Sequence, residues 1–264
     1  MRIGDLELMP VLDARGSAPL VELWPEVPAA DWEPYRPLYP ELFDGDSWNP
    51  PVMSYVIRSD GRTLLVDTGV GEFEWIATPT VTGRLLPGLA EHGVAPDNVE
   101  LVFVSHVHLD HVGTNNAFHA SGFALHRDAI AAAEDRADRE HIQKTVLPLL
   151  ESGRVDAIED GVELAPDVVA VTLDGHDPGH MGLRLGSEAL LIADAAAHPA
   201  MFDQPEWRFV ADDDHERSVA TRRAIAAEAV DSELLVVSGH FPGSGIGRLT
   251  REDGRVVWRE ARTA

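Results

Sequence analysis

At 264 residues, 44% of them hydrophobic, the chain is long enough to bury a full core, and no repeat, low-complexity tract or linker interrupts it. A formal net charge of -24, with Lys144 as the one lysine, excludes a polyanionic partner such as nucleic acid, because phosphates are gripped by lysine and arginine. Zero cysteines exclude disulfides and thiolate ligands, so any metal must rest on imidazole and carboxylate.

The opening Met1-Arg2-Ile3-Gly4-Asp5 has no apolar signal region and no stretch approaches a membrane span, so a cytoplasmic protein without a membrane partner is expected. Ile3 to Leu12 reads as a strand. From Ala18 to Pro51 the texture changes: Trp24, Trp32, Tyr35, Tyr39, Phe43 and Trp48 are spread among eight prolines, too irregularly for sheet or helix. Residues 18–51 are either a loop folded over the functional edge as the apolar wall of a substrate pocket, or a satellite hydrophobic cluster or homodimer contact. Ser54 to Asp67 reads as a hairpin turning at Asp60-Gly61. A short helix is expected over 84–92 despite Pro87, and a longer one over 129–150 with Arg and Asp/Glu interleaved on its outer face. His215 to Val230 reads as a helix opened by Asp212-Asp213-Asp214, whose charges favour its positive end. The tail from Ile246 reads as a strand pair around Asp253-Gly254.

Between these elements lies the chemistry. The apolar run Leu101-Val102-Phe103-Val104 is followed by His106-Val107-His108-Leu109-Asp110-His111. A buried strand ending in three imidazoles and a carboxylate has no packing reason to do so, since each group must be hydrated, paired or metal-bound. His106 and His108, two apart on an extended strand end, project toward one point. Asp110 and His111 on the following turn reach a second point, so a site for two ions is expected. Three more apolar runs end in the same kind of residue: Val168 to Thr172 leads to His176, Ala189 to Ile192 to Asp194, and Leu234 to Val237 to His240.

With these pieces in order, including Leu64-Leu65-Val66-Asp67-Thr68-Gly69 and the G-H-x-P-G-H stretch from Gly175 to His180, the chain resembles the metallo-β-lactamase superfamily over most of its length. The resemblance implies an α/β (α+β) fold of the metallo-β-lactamase type, a four-layer αββα sandwich, as a single domain over 1–264. It also implies that His106, His108 and His176 hold one metal, that Asp110, His111 and His240 hold the second, and that Asp194 bridges them. Two divalent metal ions are expected, zinc first, with Mn2+, Fe2+ or Co2+ compatible with the donors. Ions ~3.5–4 Å apart lower the pKa of a shared water toward ~7, giving a nucleophile at neutral pH. Asp110 would orient it and take its proton. Asp67 would accept a hydrogen bond from a ligand imidazole, and His180 would be structural. His198, four residues after Asp194, would donate a hydrogen bond to substrate or protonate a leaving group.

Within the superfamily, Asp110, His111 and His240 resemble the branch of acyl-homoserine lactonases, other lactone hydrolases and organophosphate hydrolases. Lactonases of that branch carry a tyrosine shortly after the bridging aspartate. Here Ala195-Ala196-Ala197-His198 stands there, as in organophosphatase-like members. The expected activity is hydrolysis of a carboxylic ester or lactone, a small-molecule substrate. The alternatives are phosphotriester or thioester (glyoxalase II-like) cleavage, and a mononuclear iron oxidoreductase.

Overall fold

The alternation along Leu101-Val102-Phe103-Val104 shows how the layers form in the computed structural model, which describes residues 1–73 and 83–261. Leu101 and Phe103 enter a core shared by two sheets, whereas Val102 and Val104 enter another under helices. One seven-stranded sheet runs Arg2–Ile3, Leu6–Arg15, Pro51–Ser59, Arg62–Val66, Leu101–Phe103, Gly122–His126, Val155–Ile158. The other runs Glu163–Ala165, Val168–Thr172, Met181–Leu185, Ala189–Leu191, Leu235–Val237, Ile246–Glu252, Arg255–Glu260. Leu183, Leu191 and Val237 of the second sheet meet Ile57, Val66 and Phe103 of the first, so the sheets pack face to face.

Helices cover both outer faces. Leu85–Glu91, Arg127–Asp135 and Leu147–Glu151 pack on the first sheet, and His215–Asp231 packs on the second through Ile225, Ala226 and Ala229. The fold is therefore the expected αββα sandwich. The hairpin forms as read, with Asp60 and Gly61 both at positive φ (46° and 79°), the geometry that matches strand twist. Asp253 and Gly254 (50° and 81°) turn the C-terminal pair in the same way. Among the described residues, no helix is long and apolar enough to cross a membrane.

Two expectations are corrected. The helix over 129–150 is broken: Arg127–Asp135 ends, a π-helical turn spans Ile142–Val146, and Leu147–Glu151 follows. Pro148 accounts for the π-helical turn, since it has no N–H to donate and crowds the carbonyl of Lys144. That carbonyl accepts instead from Asn116 Nδ2 at 2.9 Å. The region 18–51 is not an irregular loop either. It forms short helices at Leu20–Leu23 and Ala29–Trp32 and a small sheet of Ala18–Pro19, Ser47–Trp48 and Phe43–Asp44.

Trp24, Trp32, Trp48, Tyr35 and Tyr39 of that region are buried in the core outside the second sheet, with Trp24 5.1 Å from Trp32 and 5.4 Å from Trp48 between ring centroids. The hydrophobic-cluster reading describes these rings. Trp32→Ala should therefore remove about 3–5 kcal/mol of unfolding free energy, measured by urea denaturation; a loss under about 1 kcal/mol would mean that the ring is a replaceable surface wall.

Candidate metal centre

Parallel pairing sets the positions. Strand Arg62–Val66 lies beside Leu101–Phe103, and Ala189–Leu191 beside Leu235–Val237, so Asp67, His106, Asp194 and His240 all leave at carboxyl strand ends on one edge. The two sheets are tied at that edge by Met181 N–H donating to Ser105 O (3.0 Å) and Met53 N–H to Gly239 O (3.1 Å). Backbone close approach does the rest. Gly113, just after His111, lies where a Cβ would stand 2.2 Å from Val70, and Gly175, before His176, where it would stand 2.2 Å from Ser218 N. Asp67 and Ala193 carry the left-handed backbone (φ 58° and 43°), an uncommon strain for side-chain-bearing residues.

Two sets of side chains converge. One ligand atom from each of His106, His108 and His176 falls within 4.8 Å of the others, and the same holds for Asp110, His111, Asp194 and His240. Asp194 Oδ2 faces both sets: it lies 3.3 Å from His240 Nε2, 3.5 Å from His111 Nε2 and His176 Nε2, and 4.0 Å from His106 Nε2. Of the seven groups, only the His108 side chain is appreciably exposed, at 23%.

Each inward Nε2 is prepared from behind. His111 Nδ1–H donates to Asp67 Oδ2 (2.7 Å) and His240 Nδ1–H to Pro51 O (2.8 Å). His176 Nδ1–H donates to Asp212 Oδ1 (3.2 Å). Ser105 Oγ–H donates to Asp67 Oδ2 (2.8 Å), so Ser105 Oγ must accept from His106 Nδ1–H at 3.0 Å. Four imidazoles thus turn Nε2 toward the centre, where it is the atom open to a metal. His106 Nε2, His111 Nε2 and Asp194 Oδ1 are buried without a hydrogen-bond partner. Orphans of this kind are costly, and a cation among them satisfies all three; the residues fit a pair of ions.

The electrostatics differ between the sets. Burial, helped by His111 and His108, drives the His106 pKa well down, and burial beside His176 lowers His108 to about 4, so both are neutral. Burial also opposes charge on His111 and His240. The Asp194 and Asp110 carboxylates outweigh it, raising His111 well above its ordinary value and His240 to about 10. Asp110 and Asp194 are in turn held ionised: burial opposes this, but the His111 and His240 imidazoles prevail.

His180 sits behind the site, donating from Nδ1 to Leu173 O (2.9 Å) and accepting Asp194 N–H at Nε2 (3.1 Å). His198 is not brought to the cluster. It is fully buried among the rings of Trp24, Trp32, Tyr39 and Phe43, where burial lowers its pKa to about 3. Ser105, Asp177 (Oδ1 3.5 Å from His108 Nε2 and accepting from Arg136 Nη1 at 2.6 Å), Asp212 and Arg222 do not stand out in the sequence as site residues, although the Asp212 to Asp214 run is legible as a helix start.

Comparison with known proteins agrees with this geometry. The profile described as "Metallo-beta-lactamase superfamily" matches residues 48–240. An N-acyl homoserine lactonase of Bacillus thuringiensis is 32% identical over 174 residues, covering 59% of this chain and 68% of that protein. The N-acyl homoserine lactonase AiiB of Agrobacterium fabrum is 29% identical over 186 residues, 60% of this chain and 67% of its own. Among solved structures, hydrolase AbOPH superposes with a TM-score of 0.86 at 19% identity, covering 100% of this chain and 97% of that one. AidC, described as a dizinc quorum-quenching lactonase, gives 0.84 at 19% with the same coverage. At such identity the structures speak for the fold alone.

Proton release should accompany metal loading. The folded pKa of His240 lies above its ordinary 6.5, so its imidazolium stabilises the metal-free fold fully below that value and progressively less as pH rises through about 10. An ion needs the Nε2 lone pair and gains affinity over the same window. Titration calorimetry at neutral pH in buffers of different protonation enthalpy should therefore register protons leaving the protein; equal heats in all buffers would refute the charge assignment.

Proposed function

The chain belongs to the metallo-β-lactamase superfamily, and from that premise we propose that it is a dinuclear metal-dependent hydrolase of lactones and related carboxylic esters, with zinc as its metal. The observation that carries this reading is the position of Asp194 Oδ2, within 4.0 Å of four imidazole Nε2 atoms from both halves of the site. His106, His108 and His176 would hold one ion and Asp110, His111 and His240 the other, with Asp194 Oδ2 within reach of both sets. The lactone assignment is supported by the relatives, which are N-acyl homoserine lactonases.

When bound, a pair of divalent ions polarises an ester carbonyl and makes water acidic enough to attack near neutral pH. The chain's own groups do the rest. Asp110 Oδ2, 3.6 Å from His111 Nε2 and 3.4 Å from His240 Nε2, would accept the proton of the attacking water and pass it to the departing alkoxide. The centre opens on the side of His108, the one partly exposed ligand. Beside it, Leu109 lines a cleft of about 870 Å³ whose walls include Phe73, Leu86, His141 and Lys144. Tyr35, Tyr39 and Tyr55 are buried, their hydroxyls bonded to Asp203 Oδ2, Trp258 N–H and Ser238 O, so none is free to polarise the substrate.

Protein purified without chelator should carry two ions per chain by mass spectrometry and should open an N-acyl lactone faster than it cleaves an aryl ester, a thioester or a phosphotriester. Chelator should abolish the reaction, and two equivalents of zinc should restore it. A single iron with consumption of dioxygen would overturn the reading, and a preferred phosphotriester would move the chain to organophosphate hydrolysis.

A further inference from the structure

Arg222, on the helix His215–Asp231, is fully buried. Such burial is rare for arginine unless every donor is engaged. Its Nε donates to Ala195 O (3.1 Å), Nη1 to Pro205 O (2.9 Å) and Trp207 O (3.1 Å), and Nη2 to Asp212 Oδ2. Two of these contacts lead straight to the metal centre. The other oxygen of Asp212 accepts the Nδ1–H of His176, and Ala195 directly follows Asp194. The two carbonyls belong to the segment carrying Phe209, whose ring lies parallel to the His176 ring (9° between planes, centroids 6.1 Å apart).

We propose that Arg222 is a positioning residue for the ion held by His106, His108 and His176: through Asp212 and the 205–209 segment it fixes the tautomer and ring plane of His176, and through Ala195 it fixes the backbone of Asp194. The inference rests on the ligand assignment under Proposed function. A planar guanidinium suits the task because its fork holds a carboxylate and three carbonyls in fixed directions, which an ammonium on a flexible stem does not. Asp212 alone orients His176 only as well as Asp212 is itself held. With Arg222 gone it would be a buried carboxylate without a counter-charge or its holding hydrogen bond, free to turn away from Nδ1–H.

The test separates positioning from plain stability. Arg222→Met leaves the Asp212 charge unpaired and should lower the melting temperature; Asp212→Asn combined with Arg222→Met removes both charges. Arg222→Met, which keeps Asp212 and His176, should bind its tighter zinc 10–100-fold more weakly than the unaltered protein by competition with a chromogenic chelator, and the double variant should recover most of the lost melting temperature without recovering that affinity. Zinc affinity equal to that of the unaltered protein in Arg222→Met would overturn the proposal. If the variants do not fold, nitrogen-15 NMR of the metal-free unaltered protein decides: His176 should be the Nδ1–H tautomer with a hydrogen-bonded, downfield proton, and an Nε2–H tautomer would overturn the proposal. If the His176→Ala variant, with Arg222 and Asp212 intact, still keeps two ions, the ligand assignment itself has failed, an outcome distinct from a failure of Arg222 alone.

Discussion

Four imidazole nitrogens stand within 4.0 Å of one carboxylate oxygen, in an interior from which water is nearly excluded. An arrangement like this is repulsive and unsatisfied on its own terms: neutral nitrogens would face one another with lone pairs, and protonated ones would face one another with charge. The metal-free chain compromises by protonating His111 and His240 against Asp110 and Asp194 while leaving His106 and His108 neutral. The strained backbone at Asp67 and Ala193, the glycines at close approach and the outward hydrogen bonds of the imidazoles all serve to hold that crowd in place.

The support comes from three directions. Asp67 and Ser105, at neighbouring strand ends of the first sheet, hold His111 and His106. The carbonyl of Pro51, where strand Pro51–Ser59 begins, holds His240. From outside the second sheet, the helix His215–Asp231 reaches in through Arg222 and Asp212 to His176. The centre is thus set by both sheets and an outer layer together, which is why its ligands are distributed over so much of the chain.

The ligand candidates are legible in the sequence because a buried apolar strand does not end in His or Asp unless something there satisfies the polar group, and strand ends in parallel pairs fall on one edge. Their supports are not legible. Arg222 lies in a helix rich in arginine, and nothing local separates it from its exposed neighbour Arg223; only the packing of that helix on the second sheet does. His198 shows the converse. Its distance from Asp194 in sequence suggests a substrate contact, but the small residues Ala195, Ala196 and Ala197 let the segment turn inward, and its imidazole joins the tryptophans. Spacing along an irregular segment does not say which side faces the site. The π-helical turn before Pro148 is equally hidden, since the asparagine that satisfies the freed carbonyl comes from another element.

Each set of converging groups takes members from both sheets: His106 and His108 from the first with His176 from the second, and Asp110 and His111 from the first with Asp194 and His240 from the second. An ion in either set is then a clasp across the sandwich as well as a reagent. Separating the layers at that edge would require ligand bonds to break along with the Met181–Ser105 and Met53–Gly239 hydrogen bonds. Contacts that must all be lost before the layers part act chiefly on the rate of opening, so ions in both sets would lend the chain persistence against proteases and heat as a kinetic property.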